Sequence, residues 1–124
     1  MLDRPRMDLS GIVLDAPDAD ALARFYEALL GWPRIQDEPG WVKLGSPDGG
    51  AGLSFQQEPL HRPPAWPSTA TDPQMQVHLD IQVDDLDEGQ AFALAAGARL
   101  SDVQFDDDVR IFYDPVGHPF CLFL

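Results

Sequence analysis

The sequence predicts an α+β fold of two tandem βαβββ modules, whose strands form a curved, partly closed mixed β-sheet with the helices on the outside. Two observations predict this fold. Each half of the chain reads as a strand, a helix and three strands, and the second half matches the first after a shift of 67 residues. With 124 residues and 44% hydrophobic content, the chain is long enough for one core and too short for two independent domains. We therefore expect residues 1–124 to form a single domain.

The acidic composition excludes several classes of partner. Twenty-one acidic and eight basic residues give a formal net charge of -13, which would repel nucleic-acid phosphates and anionic membrane surfaces. Cys121 is the single cysteine, so an internal disulfide is impossible and a reducing compartment is indicated. Residues 1–8 lack the apolar segment of a secretion signal, and no stretch has the length of an apolar membrane span. We expect a cytoplasmic protein without nucleic-acid or membrane partners.

The first module covers about residues 9–57. Residues 9–14 have the pattern of a short strand, and Asp18 is placed to cap the helix that follows, with Gly31 as its C-terminal stop. The apolar residues of this helix recur at helical spacing and are Leu22, Phe25, Tyr26, Leu29 and Leu30. Short strands are predicted at residues 34–37, 41–44 and 53–57, with turn-forming segments between them.

A linker, residues 58–76, separates the modules, and its five prolines deny it regular backbone hydrogen bonding. The second module, about residues 77–124, opens with residues 77–83, which alternate between apolar and polar as in a half-buried strand. A helix begins after Asp85 and runs to about Gly97, because Asp85 and Glu88 have the spacing of an N-terminal capping box. Three further strands are predicted at residues 99–105, 109–114 and 120–124.

The two modules coincide at positions with structural roles. The helix caps, a core aromatic, a cation and a turn glycine all match after the shift. The matched pairs are Gly11 with His78, Asp18 with Asp85, Phe25 with Phe92, Lys43 with Arg110 and Gly50 with Gly117. Five matches within equivalent elements favour a tandem duplication.

Alternation along the strands divides their side chains between a concave face and a face toward the helices. The concave set is mixed in polarity and comprises Val13, Asp15, Trp41, Lys43, Ser54, Gln56, His78, Asp80, Gln82, Arg110, Phe112, Cys121 and Phe123. The helix-facing set is apolar and comprises Val42, Leu44, Phe55, Val109, Ile111, Phe120 and Leu122. A concave surface with aromatic residues and a few polar groups is typical of small-molecule sites.

Two motifs carry a resemblance to a known family. Residues 18–32 read DADALARFYEALLGW, and residues 114–122 read DPVGHPFCL. Together with the two βαβββ modules, they resemble the vicinal oxygen chelate superfamily, which includes glyoxalase I, extradiol dioxygenases, fosfomycin-resistance enzymes and bleomycin-resistance proteins. The segments LSFQ (residues 53–56) and AWP (residues 65–67) look most like the small glyoxalase-like proteins common in actinobacteria. The resemblance covers residues 9–124 and implies the fold, whereas the superfamily hosts several chemistries and also pure binders.

The resemblance also implies where a metal would bind. Metal-dependent members take four ligands from the first and last strands of the two modules, and the residues here are Gly11, Ser54, His78 and Cys121. Glycine offers no side chain, and a stable divalent site needs about three protein ligands, so no cofactor is expected. If a divalent metal does bind, its candidate ligands are His78, Gln56 and Cys121, and recruiting Asp80 from the next inward position gives only a makeshift set.

Eight side chains are candidates for ligand binding, namely Trp41, Lys43, Gln56, Trp66, His78, Asp80, Arg110 and Cys121. Lys43 and Arg110 are placed to bind a carboxylate or phosphate together, or else each pairs with a nearby acid such as Asp15 or Asp80. His78 oriented by Asp80 is the candidate catalytic base, and the alternative is a polar residue retained after loss of an ancestral metal site.

Two of the other candidates, Trp66 and Cys121, also have two interpretations each. Trp66 either covers the cavity or pins the linker to the sheet. Cys121 is either a nucleophile or an inert buried thiol.

Two functions from different classes follow from the resemblance. The first is a small-molecule-binding protein like the bleomycin-resistance proteins, without a competent metal site, and the missing ligands favour it. The second is a divalent-metal-dependent lyase, isomerase or dioxygenase of the glyoxalase type. A regulatory module with a vestigial cavity is a third possibility. The resemblance also implies a homodimer, since subunits of this superfamily often pair their sheets.

Overall fold

The computed structural model describes residues 3–124. In the first module the elements are β1 (Gly11–Ala16), α1 (Ala19–Leu30), β2 (Arg34–Glu38), β3 (Trp41–Leu44) and β4 (Gly52–Gln57). In the second module they are β5 (Leu79–Gln82), α2 (Leu86–Ala96), β6 (Arg99–Leu100), β7 (Val109–Tyr113) and β8 (Pro119–Phe123). The order of elements is the one that the sequence predicts for both modules.

The strands form two four-stranded mixed sheets with the orders β1-β4-β3-β2 and β5-β8-β7-β6. In each sheet the first strand of the module pairs in parallel with the last, and the other pairs are antiparallel. This shared pairing confirms the prediction of two tandem βαβββ modules. Neither helix among residues 3–124 is long and apolar enough to cross a bilayer.

Both helices begin and end where the sequence predicts. Asp18 accepts a hydrogen bond from the backbone N–H of Ala21 at 3.1 Å, and Asp85 accepts one from Glu88 at 2.9 Å. Gly31 ends α1 with a φ of 68°, a left-handed conformation that glycine adopts without a steric penalty. The caps therefore fix both helices by local chemistry that is visible in the sequence.

One hydrophobic core spans both modules. The ring of Phe25 on α1 lies 6.1 Å from that of Phe120 on β8, so a helix of the first module packs on a strand of the second. Tyr26 stacks on Phe55 of its own sheet at 5.4 Å, and its hydroxyl donates a hydrogen bond to the carboxylate of Asp114 at 2.8 Å. These contacts join the two modules into one unit.

The match between the two helices is incomplete. Phe92, the counterpart of the buried Phe25, is 58% exposed on α2, so the prediction that it is a core aromatic is wrong. Gly89 lies one turn earlier, and a Cβ there would come within 3.2 Å of side-chain atoms of Val83 and Leu122. The second helix thus approaches its sheet closely at a glycine.

The strand predicted at residues 99–105 is shorter in the structure, where β6 ends at Leu100. The side chain of Gln104 provides the reason. Its Nε2 donates to the carbonyl oxygen of Ile111 at 3.0 Å, and its Oε1 accepts from the N–H of Ile111 at 2.9 Å. The carbonyl of Ile111 also accepts from the backbone N–H of Ser101 at 2.9 Å, so the amide of Gln104 replaces the partner that a longer β6 would offer to the N–H of Ile111, and residues 101–108 form a loop.

The alternation predicted for β7 is wrong by one residue. Phe112 stacks on Phe120 at 5.4 Å inside the core and not on the concave face, where the alternation predicts it. Val109 and Ile111, predicted to face the helices, instead line a pocket together with Cys121. Arg110 points toward α2 as well.

A difference in loop length explains this error. Lys43 stands opposite Ser54 in the first sheet, whereas Ile111 stands opposite Cys121 in the second, so the second connection is one residue shorter. A shift of one residue turns every side chain of a strand to the other face. The true counterpart of Arg110 is therefore Val42, a core residue.

Candidate functional site

A pocket of about 260 Å³ opens on the face of the second sheet that points away from the helices. We call it the Trp66 pocket. Its walls come from the linker, the loop after β6 and β7, and its floor comes from β5 and β8. The lining residues are Trp66, His78, Asp80, Phe105, Asp106, Val109, Ile111 and Cys121. Aromatic and aliphatic walls around a few polar groups are usual for small-molecule sites.

The side chains of His78, Asp80 and Cys121 meet at the floor of the Trp66 pocket. Nε2 of His78 lies 3.2 Å from Oδ1 of Asp80, and one ligand atom from each of the three lies within 4.8 Å of the others. The parallel pairing of β5 with β8 puts Cys121 opposite Asp80, and strand alternation puts His78 beside them. The prediction that these three side chains share one face of the sheet is confirmed.

Burial, followed by the nearby carboxylate of Asp80, raises the pKa of the Cys121 thiol to about 11. Cys121 is also only 3% exposed. In the metal-free protein it is therefore a protonated thiol near neutral pH, and the thiolate, not the thiol, is the nucleophile. Of the two alternatives, the inert buried thiol fits this environment better.

Trp66 contacts both the pocket and the sheet. Its ring stacks on that of His78 with centroids 4.9 Å apart and planes 26° apart. Its backbone carbonyl accepts a hydrogen bond from the hydroxyl of Tyr113 at 2.7 Å. Trp66 thus covers His78 and also attaches the linker to the second sheet, so the two alternatives for this residue are compatible.

The candidates of the first module lie on the other sheet and do not line the Trp66 pocket. Lys43 stands opposite Ser54, and Trp41 stands opposite Gln56. Together with Val13, these residues occupy the side of the first sheet away from its helix-facing core, and we call this surface the Lys43 face. Seven of the eight predicted binding residues are therefore divided between two surfaces rather than gathered in one cavity, and the eighth, Arg110, lies on neither.

Lys43 is the cation of the Lys43 face. Its Nζ donates a hydrogen bond to the hydroxyl of Ser10 at 2.6 Å, and within residues 3–124 it forms no salt bridge with an acid. Its Cε lies 3.6 Å from the point where a Cβ of Gly11 would stand and 3.2 Å from the corresponding point of Gly52. The two glycines thus make room for the lysine side chain across the sheet.

Arg110 does not belong to either surface. Its guanidinium donates to Oε1 of Gln90 at 2.9 Å and to the carbonyl of Leu86 at 3.3 Å, and it pairs with Asp87 at 2.9 Å. All three partners lie on α2. The prediction that Arg110 faces the concave side and joins Lys43 in binding an anion is therefore wrong. The alternative, that Arg110 pairs with a nearby acid, holds, but the acid is Asp87.

The four-ligand metal set of the superfamily does not fit this chain. Gly11 has no side chain, and the side chain of Lys43 lies against it. Ser54 is on the first sheet, away from His78 and Cys121. Gln56 is exposed on that same sheet, so within one chain it does not meet His78 and Cys121. The side chain that does lie beside these two residues is that of Asp80.

Sequence reasoning missed several wall residues of the Trp66 pocket. Phe105 was assigned to a strand end, and its ring lies 6.3 Å from that of Trp66. Val109 and Ile111 were assigned to the wrong face. The signal for these two was the length of the connection to β8, which a comparison of the two modules residue by residue could have revealed.

Comparisons with known proteins agree with this geometry. The sequence matches the model of a family described as "Glyoxalase-like domain" over residues 11–123, nearly the whole chain. No curated protein sequence matches the chain.

Solved structures show the same fold at low sequence identity. A glyoxalase/bleomycin resistance protein/dioxygenase family enzyme from Burkholderia phytofirmans PsJN superimposes with a TM-score of 0.70 at 20% identity, covering 94% of this chain and 97% of that one. A glyoxalase family protein from Enterococcus faecalis has a TM-score of 0.70 at 19% identity, with the same coverage of 94% and 97%. A glyoxalase/bleomycin resistance protein from Albidiferax ferrireducens T118 has a TM-score of 0.64 at 19% identity, covering 92% and 95%. With its two βαβββ modules and the family match, the chain belongs to the glyoxalase-like domain family of the vicinal oxygen chelate superfamily.

Proposed function

We propose that this protein binds a small aromatic anion, in the manner of a bleomycin-resistance-like binder rather than a four-ligand metalloenzyme. The observation that carries the proposal is the Trp66 pocket, where an indole, a phenyl ring and aliphatic side chains surround a polar floor. Pockets of this composition bind planar organic molecules by burying their apolar surface, and the polar floor fixes their orientation.

The aromatic part of the ligand is assigned to the walls of the Trp66 pocket. Trp66 and Phe105 present ring faces at 6.3 Å, and Ile111 is buried beneath them. Phe105 is 67% exposed, so covering it with a ligand removes apolar surface from water. Burying an aromatic side chain is worth roughly 1.5–3 kcal/mol, which makes this wall the main source of affinity.

The anionic part is assigned to Lys43. The chain carries only eight basic residues against twenty-one acids, so cations that could bind an anion are few. Among residues 3–124, the ammonium of Lys43 has the neutral hydroxyl of Ser10 as its one hydrogen-bond partner. A charge-assisted hydrogen bond from it to a carboxylate is worth about 1.5–3 kcal/mol, or about 10-fold to 100-fold in affinity.

We further propose that a homodimer brings these two halves together. The Lys43 face and the Trp66 pocket lie on different sheets, and Val13 on the Lys43 face is 46% exposed. A second copy whose Lys43 face covers the Trp66 pocket would bury this apolar surface and supply the cation that the pocket lacks. The site is thus completed by the partner, as in an isologous dimer with two equal sites.

A metal-dependent lyase, isomerase or dioxygenase is the second candidate function. The cluster of His78, Asp80 and Cys121 favours it, because His78 next to a carboxylate is also suited to accept a proton. The absence of ligand side chains at Gly11 weighs against the four-ligand chemistry of that class.

We assign the protein to the cytoplasm, where a single free cysteine stays reduced.

Isothermal titration with benzoate and with its neutral counterpart benzamide tests the proposal, in buffer that contains EDTA. We expect benzoate to bind the wild-type protein more tightly than benzamide. Lys43→Met should remove this preference by lowering benzoate affinity about 10-fold or more, and Trp66→Ala should weaken both compounds. Arg110→Met is the matched control, since Arg110 faces α2 and its loss should leave both affinities unchanged.

Mixing the two defective variants tests the shared site. A mixed dimer of Lys43→Met and Trp66→Ala contains one intact site and one doubly defective site. Recovery of benzoate binding on mixing supports a composite site, whereas a monomer at all concentrations or no recovery contradicts it. Equal binding of benzoate by wild-type and Lys43→Met protein contradicts the assignment of the anion.

A further inference from the structure

A second groove, of about 330 Å³, opens on the helix side of the second sheet, where α1, α2 and β5 come together. We call it the Gly89 groove. It shares no lining residue with the Trp66 pocket, which lies on the opposite face of the same sheet. The apolar residues that line it are Leu29, Ile81, Val83, Phe92 and Leu122, with Gly89 among them. The groove is therefore a cavity separate from the site of the proposed function.

The first module shows why this groove is open. Leu22, the counterpart of Gly89 after the shift of 67 residues, is buried on α1 and fills the equivalent place. Leu14, the counterpart of Ile81, is buried as well, whereas Ile81 itself is only half-buried. The pairings β1–β4 and β5–β8 keep the same offset of 67 residues, so these positions are structural equivalents. The missing side chain at Gly89 thus leaves β5 partly uncovered.

The glycine also brings the backbone of α2 close to the sheet. A Cβ at Gly89 would lie 3.2 Å from side-chain atoms of Val83 and Leu122, closer than ordinary carbon–carbon contact. Phe92 lies one turn later on the same side of α2, and its exposed ring borders the groove. The groove therefore has an aliphatic floor and an aromatic edge.

Three carboxylates surround this apolar floor, those of Asp84, Asp85 and Glu88. All three are exposed, and within residues 3–124 none of them forms a salt bridge. The matching positions of the first module for Asp84 and Glu88 hold Pro17 and Ala21. Two of the three acids thus occur only in the module whose groove is open.

We propose that the Gly89 groove binds a small organic cation with an apolar body, such as an arylalkyl amine. The floor buries the apolar body, the carboxylates attract the ammonium group, and the ring of Phe92 offers a cation–π contact. The same charges disfavour an anionic ligand, and a net charge of -13 disfavours a second copy of the chain as the occupant. The inference goes beyond the proposed function, because both the face of the sheet and the charge of the ligand differ.

Phenethylamine, a cation at neutral pH, and its neutral counterpart phenethyl alcohol test the inference in NMR titrations of the full chain. We expect phenethylamine to shift the backbone amides of Gly89 and Phe92 and to bind at least about threefold more tightly than the alcohol at low ionic strength. The preference should shrink at high salt, because salt screens exposed charges.

The double variant Asp84→Asn/Glu88→Gln should lower phenethylamine affinity about threefold or more and leave phenethyl alcohol affinity unchanged. Glu38→Gln/Asp102→Asn is the matched control, because it removes the same charge from exposed acids outside the groove and should bind like the wild-type protein. Gly89→Leu introduces the leucine of the first module and should abolish binding of both compounds. If this variant does not fold, the charge variants still decide, since they alter exposed side chains alone.

Equal affinities for the amine and the alcohol overturn the inference. So does an equal loss in the charge variant and its control, which would show a general attraction of cations to an acidic surface. Shifts of the Gly89 and Phe92 amides that grow with protein concentration without any amine also overturn it, because a second copy then occupies the groove. None of these results bears on benzoate binding at the Trp66 pocket, so the two proposals fail separately.

Discussion

The hydroxyl of Tyr26 donates a 2.8 Å hydrogen bond to the buried carboxylate of Asp114, and this bond links α1 of the first module to the turn before β8 of the second. Asp114 also accepts from the backbone N–H groups of Val116 and His118, each at 3.0 Å. Asp114 thus stabilises a turn in the second module and also binds a residue of α1 in the first. The pair joins the two halves of the duplication at their shared core.

Replacing Tyr26 with phenylalanine tests this link. The substitution keeps the ring and removes one of the two groups bound to Oδ2 of Asp114, the other being Nδ1 of His118, so we expect a loss of about 1–3 kcal/mol in the free energy of unfolding. Urea denaturation of the wild-type and Tyr26→Phe proteins measures the difference. Tyr113→Phe is a matched control, since it also removes a hydroxyl but outside the core, and it should cost less. Equal costs for the two variants would show that the buried position of the bond adds nothing.

Stability should also fall steeply at alkaline pH. Burial, and then the charge of Asp114, raise the pKa of Tyr26 well above its ordinary value of 10.0. Above about pH 10 the unfolded chain releases this proton while the folded protein keeps it, so the folded state binds more protons and unfolding becomes easier as pH rises. Unfolding free energies measured between pH 8 and pH 11 should decline less in Tyr26→Phe than in the wild-type protein. Parallel curves for the two proteins contradict the assignment.

The single cysteine gives a site-specific test of the pocket floor. Because the pKa of Cys121 is raised to about 11, the thiolate fraction in metal-free protein is small near neutral pH and grows as pH approaches that value. Alkylation by iodoacetamide, followed by mass spectrometry, should therefore be slow at neutral pH and accelerate with alkalinity. Asp80→Asn removes one cause of the raised pKa at nearly unchanged burial, so it should shift the alkylation profile to lower pH. If the alkylation profile is the same in both proteins, Asp80 does not raise the pKa of Cys121.

The loop that carries Phe105 should depend on Gln104. Its side chain makes three hydrogen bonds, two with Ile111 and one with the carbonyl of Ser101. Gln104→Ala leaves the N–H of Ile111 without its acceptor, whereas the carbonyl keeps its bond to the N–H of Ser101, and we expect a loss of about 1–3 kcal/mol in stability and faster amide hydrogen exchange at Ile111. Gln74→Ala in the linker is a control with an exposed amide. If exchange at Ile111 does not change, the loop is held by other contacts.

Local chemistry made much of the fold predictable from sequence. The caps Asp18 and Asp85 and the stop Gly31 lie where the pattern placed them, because a cap depends on residues within one turn. The alternation of residues 77–83 likewise gave the correct face for His78 and Asp80. Periodicity is reliable where a strand keeps a continuous register.

The errors concern features that depend on distant parts of the chain. Arg110 was given the face of Lys43 because both are cations at the same offset, yet the connection to β8 is one residue shorter than its counterpart. The side chain of Gln104 makes hydrogen bonds that end β6 early, and strand propensity does not predict such bonds. A single concave sheet predicts that Lys43 and His78 line the same cavity, whereas the two modules form separate sheets. Tertiary packing decides each of these cases.

The most direct test of the central claim is a map of where benzoate binds, made from amide and indole chemical-shift changes in ¹H–¹⁵N NMR spectra of the EDTA-treated protein. The account predicts the largest changes at the indole N–H of Trp66 and at the backbone amides of Ile111 and Cys121. It also predicts a change at the backbone amide of residue 43 that is present in the wild-type protein and absent in the Lys43→Met variant. Changes centred on the exposed ring of Phe92, or no changes at all, would contradict the claim that the Trp66 pocket is the binding site.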